Sequence, residues 1–131
     1  MRFTKTDKSK ELEGAWVDYD DGMGGTLKLL IARTDGNPHY DSRLTKLMLP
    51  HRKKMERGKS ISNDIAKRIM NEVYSKEIVL DWEKGVLLDE EGKDIPFSPE
   101  NAFELLSDDN DLRDFVMEFA GDQSNFLTSK K

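Results

Sequence analysis

The sequence contains no cysteine. Disulfide staples, thiolate metal sites and cysteine nucleophiles are therefore excluded, and cysteine-free composition fits a reducing compartment. Histidine is nearly as scarce, with only His39 and His51. They stand twelve positions apart without an acidic partner four residues on, which rules out a helical metal pair. Long apolar runs are missing too, and nothing approaches the roughly 20 residues of a membrane-spanning helix. The opening MRFTKTDKSKELE has no apolar stretch of the secretory kind. No serine sits in a G-x-S-x-G turn. The glycine-rich GMGGT lacks the Lys-Ser/Thr that a phosphate-cradling loop requires.

Charge is abundant but unevenly placed. Charged and apolar residues each make up 36% of the 131 residues, and the net charge is −5. Residues 1–60 carry 13 Lys/Arg against 9 Asp/Glu, whereas residues 61–131 carry 8 against 17. The cations concentrate in HRKKMERGK, residues 51–59. Read functionally, this is a patch for nucleic acid. Read structurally, it is a solvated helix end. The acidic balance of the whole chain favours the second reading, because duplex affinity rests on neutralising phosphates.

The acidic clusters DYDDG and DDNDLRD resemble calcium loops only superficially. Counting from Asp18, Met23 occupies the required glycine position; counting from Asp108, Arg113 does. Asp81/Glu83 and Asp89/Glu91 have carboxylates for acid–base work but neither nucleophile nor base beside them. The residues support neither catalysis, nor a metal, nor a cofactor.

Hydrophobic periodicity gives the architecture. Residues 1–12 are polar and expected to fray. AWVDY (15–19) and TLKLLIAR (26–33) alternate with period two around DDGMGG and read as a β-hairpin, with Trp16 expected to anchor its second face. Asn37-Pro38 is an N-cap followed by proline at the first helical position. The helix that follows has one apolar stripe of Tyr40, Leu44, Leu47, Met48, His51 and Met55, interrupted by Pro50 and ended by Gly58. Ser60 is placed to cap a second helix of about four turns, with Ile61, Ile65, Ile69 and Val73 on one face. EIVLDW (77–82) reads as a short extended piece, and GVLLDEEGKDIPF as a small hairpin around Gly92. Ser98-Pro99 starts a third helix with Ala102, Phe103, Leu105 and Leu106 inward. Asn110 or Asp111 starts a fourth, with Leu112, Phe115, Val116, Phe119 and Ala120 inward, ending at Gly121 or running on to Phe126. The fold expected is α+β and mostly helical: one domain over 13–127 with an N-terminal hairpin, about four helices and a short second hairpin, between a flexible 1–12 segment and a flexible 128–131 tail.

Phe115, Phe119, Phe126 and Leu127 make the end of the chain dense in apolar side chains and are the candidate partner-binding residues. Phe126 and Leu127, beyond Gly121, are the two expected to spare a side chain for a partner.

Taken in order, GAWVDY…GTLKLLIAR, DGNPHYDSRLTKL, IVLDWEKGVLLDEEGKDIPFSPENAFELL and LRDFVMEFAGDQSNFL resemble the small tail assembly chaperones of long-tailed bacteriophages. The resemblance covers residues 14–127. It rests most on Asp81-Trp82, the Gly92 turn into Ile95-Pro96-Phe97-Ser98, Asn101, and the ending Phe115, Val116, Ala120, Asp122, Asn125, Phe126. Lys84 and Asp94 depart from the pattern, both in an exposed turn. The resemblance implies a non-catalytic protein of the infected host's cytoplasm that holds the tape measure protein, recruits tail tube subunits, has scope for self-association and leaves before the virion matures. It also implies a longer frameshifted product, with which Lys130-Lys131 is compatible. Two other classes are open: a structural tail or neck protein, and a nucleic-acid-binding regulator using residues 51–59.

Overall fold

The computed structural model describes residues 4–128. The chain begins with a short helix α1 (Lys8–Glu13), then β1 (Ala15–Asp20) and β2 (Thr26–Ile31), followed by α2 (Pro38–Met48) and α3 (Arg52–Glu56). Next come α4 (Asn63–Val73), β3 (Val79–Trp82), α5 (Pro99–Asp108) and α6 (Asn110–Gly121). The three strands form one antiparallel sheet with β2 in the centre. The whole is α+β, as the periodicity predicts.

Alternation decides how the sheet is used. On β2, Leu27, Leu29 and Ile31 point to one face and are buried. Their partners across the β1 ladder are Tyr19, Val17 and Ala15, so all six side chains share that face. The opposite face carries Trp16, Asp18 and Lys28 in solvent. Trp16 is 49% exposed and has the Lys28 ammonium 6.0 Å from its ring centroid. It therefore anchors nothing inside, contrary to expectation: helices cover only one face of the sheet. Between β2 and β3 the register slips, with Leu30 opposite Asp81 but Ile31 opposite Val79. Leu80 is the extra residue of a bulge there, which turns β3 so that Val79 and Trp82 both reach the core.

The long helices begin where the caps dictate. Asn37 is 2% exposed, accepts from the His39 and Tyr40 amides and donates to the Arg33 carbonyl. Ser98 caps α5 through the Asn101 amide at 3.0 Å. The other two starts differ from expectation by small steps. Ser62 rather than Ser60 caps α4, leaving Ile61 ahead of the helix. Asp109 rather than Asn110 or Asp111 caps α6. In both cases the residue three positions ahead of a free amide wins.

The π-helical turn Tyr74–Ile78 carries α4 straight into β3, so residues 77 and 78 belong to that turn and not to the strand. The second hairpin shrinks to a single bridge, Leu88 to Asp94, closed by the Asp89 carboxylate on the Glu91 and Lys93 amides. Trp82 anchors it to the core: its indole N–H donates to the Ile95 carbonyl at 3.0 Å, and its ring meets Phe97 edge-on at 5.1 Å.

Both ends of the domain depart from expectation. Of the segment 1–12 expected to fray, residues 1–3 lie outside the described ones, while Thr6 bridges Leu127 and the Asp7 amide donates to the Phe126 carbonyl at 2.7 Å. Helix α1 is tied back by Arg33, whose guanidinium lies 3.0 Å from the Glu11 carboxylate and whose amide donates to the Glu11 carbonyl. Gly14 links α1 to β1 with φ +92°, and a Cβ there would meet Leu30 Cγ at 2.9 Å. At the other end α6 stops at Gly121, and a 3-10 turn over 123–126 swings Phe126 inward. Of the expected tail 128–131, Thr128 donates its amide to the Lys5 carbonyl, and residues 129–131 lie outside the described ones.

Two outcomes follow. Phe126→Ala removes a fully buried ring and is expected to cost about 3–5 kcal/mol, read as a lowered urea midpoint. The second concerns Tyr74, which is buried beside Tyr40, rings 5.9 Å apart. Burial, then the neighbouring Tyr40, pushes its phenol well above the ordinary 10.0, so the fold favours the neutral form. Stability from this group is therefore complete below pH 10 and is lost as pH climbs toward the folded-state value. Tyr74→Phe should flatten that alkaline loss in urea titrations between pH 9 and 11.

Candidate functional site

The phenylalanines expected to meet a partner are mostly used up in packing. Tyr19, Phe115, Phe119 and Phe126 form a ladder of rings with centroid separations of 5.0, 6.2 and 5.7 Å. Such offset and edge contacts stabilise beyond simple burial. Phe126 is 0% exposed, so its side chain is not available to a partner. Leu127 is half-buried in the bridge to Thr6, and its carbonyl accepts from the Lys10 ammonium. Phe115 and Phe119 keep partial exposure. The structure thus brings three of the four together, but as a seam between α6, the hairpin and the C-terminal turn.

The open apolar surface lies elsewhere, on α2 and α3. The stripe read from the sequence as one face is divided between two. Leu47 and His51 face α4, where they line a cleft with Ile65 and Ile69, and Tyr40 packs on Tyr74. Leu44, Thr45, Met48, Leu49, Arg52, Met55 and Glu56 line a separate, open groove of about 500 Å³. Their spacing of one, three, one, three, three and one is that of one helical face. The 3-10 turn Leu49–His51, started by Pro50, carries this face from α2 into α3 without rotating it out of line. Leu49 is 52% and Met55 48% exposed. No residue of α2 or α3 is buried. Gly58, with φ +75°, ends the arm.

The groove is bordered by charge. Arg52 reaches Glu56 only at 3.9 Å, and both side chains stand more than two thirds in solvent. Lys53, Lys54, Arg57 and Lys59 are exposed. At its root, α2 is fixed to the π turn by Arg43, whose Nε lies 3.0 Å from the Glu77 carboxylate. The arm is therefore firmly based and bare at its tip.

Other clusters offer less. Tyr19 stands among Asp109, Asp111, Asp21 and Asp20; burial first, then these carboxylates, raise its phenol. A cleft of about 210 Å³ runs beside it between the hairpin loop, Val86-Leu87 and Leu112. The Asp122 carboxyl sits below its ordinary value because the Ser124 hydroxyl and amide both donate to it, which is the geometry of a turn. Among the described residues no group of three or more His, Asp or Glu is placed to hold a metal ion. No helix of the described residues is long and apolar enough to cross a membrane.

Residues 35–131, which hold the whole α2–α3 groove, match the model of the YdaY prophage protein family. The chain belongs to the YdaY prophage protein family. No curated protein and no solved structure matches it. The matched segment of this YdaY-family chain starts after the β1–β2 hairpin and includes β3 and all four long helices. Phage origin is thereby established, and it agrees with the resemblance seen in the sequence.

Sequence reasoning missed the groove because it placed Leu44, Met48 and Met55 on a single stripe with Tyr40, Leu47 and His51. The signal was present in Leu49, which lies off the Tyr40–Leu47–His51 line and makes the helix apolar on two sides. If the groove is a surface and not a core, Leu49→Ser together with Met55→Ser should change unfolding free energy by no more than about 0.5 kcal/mol. A urea titration of the double variant checks this.

Proposed function

We propose that this YdaY-family protein is a tail assembly chaperone: a non-catalytic protein that binds the tape measure protein of its phage while the tail is built. The observation that carries the proposal is the open Leu44–Met48–Leu49–Met55 groove on the α2–α3 arm. Unbranched, flexible methionines adapt to varied apolar surfaces, which suits a protein holding a long client with many non-identical segments. A helix laid in an apolar groove is a standard mode of recognition. A tape measure protein, long, helical and striped with apolar residues, presents such helices. Supporting this reading are the phage family and the resemblance over residues 14–127 to tail assembly chaperones. The partly exposed edges of Phe115 and Phe119 are a second, smaller surface for tail tube subunits.

On this reading the protein acts in the cytoplasm of the infected host and is absent from the finished particle. A stoichiometric presence in purified virions would instead favour a structural tail or neck protein. The direct test is co-expression with the tape measure protein of the same prophage. The tape measure protein should be recovered soluble and in complex with the wild-type chain. With Leu49→Ser/Met55→Ser it should pellet, while the variant itself stays folded by circular dichroism. A tape measure protein that pellets in both cases would defeat the proposal.

A further inference from the structure

From the charge around the groove we infer that its occupant is an amphipathic helix whose apolar stripe is flanked by carboxylates. This rests on the proposed docking role of the arm and specifies the client's chemistry. Residues 51–59 hold five Lys/Arg against the single carboxylate of Glu56. Among the described residues, Lys53, Lys54, Arg57 and Lys59 form no ion pair, and Arg52 forms only the long contact to Glu56. Five of the chain's 21 Lys/Arg are thus gathered within nine residues, in a chain whose net charge is −5.

The arrangement is specific in two ways. Arg52 stands in the apolar lining between Leu49 and Met55, next to Glu56, and Lys53, Lys54 and Arg57 occupy the neighbouring positions of the same short arm. A ligand that buries the lining therefore meets the Arg52 guanidinium and lies in the positive field of the exposed cations beside it. Lysines flanking the ligand's stripe would be repelled; glutamates or aspartates would be drawn in, and the like-charge penalty adds to the discrimination. Duplex nucleic acid satisfies the cations but leaves Leu49 and Met55 uncovered, so it uses only half of the surface. The groove's face runs from Leu44 to Glu56, equivalent to about 18 Å of helix axis at 1.5 Å per residue, so three to four turns of a client helix would lie along it.

The experiment uses the full chain and two synthetic helical peptides with the same leucine stripe at positions i, i+3, i+4 and i+7. One peptide has glutamates beside the stripe and the other has lysines. Affinities are read by fluorescence anisotropy at low and high salt, with a labelled DNA duplex as a third probe. The glutamate peptide is expected to bind about tenfold or more tighter at low salt, from several rim pairs of modest individual strength. That margin should narrow at high salt. Lys53→Glu/Lys54→Glu should reverse the preference while the solvated arm keeps its fold. Equal binding of the two peptides would overturn the charge inference yet leave the docking role standing. Loss of both peptides in Leu49→Ser/Met55→Ser ties the binding to the groove. Binding of the duplex with neither peptide bound by the wild-type chain would overturn this inference and count against the docking role as well.

Discussion

Everything else in this protein depends on burying one face of β2. Leu29 and Ile31 are almost wholly removed from water, and Ala32, just past the strand, is too. The strand is hydrogen-bonded on both edges, by β1 and by β3. Its apolar face is the floor on which the π turn and helices α5 and α6 are assembled into one core. Apolar burial is the dominant favourable contribution to folding, and here it is concentrated in a small sheet with helices on one side only. The other face keeps Trp16, Asp18 and Lys28 in solvent, which a three-stranded antiparallel sheet tolerates and a parallel one would not.

That one-sidedness explains the division of labour among the helices. Those that close the core spend their apolar residues on it: α6, against β2, contributes Leu112, Val116 and Ala120, and α5, against the π turn, contributes Ala102 and Leu106. Helix α2 lies farther out, against α4 and the π turn, and has no buried residue of its own. An apolar side chain on α2 or α3 is therefore not required by the core unless it faces α4. Leu49 and Met55 face the open groove and not α4, so a structural demand does not account for them.

Much of this was legible in sequence. The Asn37-Pro38 and Ser98-Pro99 helix starts, the hairpin at 15–31 and the stop at Gly58 are local events, settled by caps, alternation and glycine dihedrals within a few residues. What escaped reading was non-local. Nothing within 1–12 announces that Glu11 will meet Arg33 or that Thr6 will pair with Leu127. Phe126 reads as a spare residue past a helix end, and only the 3-10 turn after Asp122 shows that it closes the core. The α2 stripe was mistaken for the same reason. Period alone says that a helix has an apolar side, but not which neighbour, if any, covers it.

The joining of the two ends has a consequence for how the molecule is made. The contact from Thr128 to the Lys5 carbonyl spans 123 positions, and the seat of α1 is built partly from Phe126 and Leu127. A chain emerging from the ribosome can form the hairpin and α2 early, since their partners are close in sequence. It cannot seat its first helix until the residues around 126 have been synthesised. Helix α1 is thus made early and is among the last elements to settle. During that interval α1, β1 with its unpaired edge and the apolar floor of β2 wait partly uncovered. For a protein proposed to keep another chain from aggregating, its own most exposed moment comes before the residues around 126 are in place.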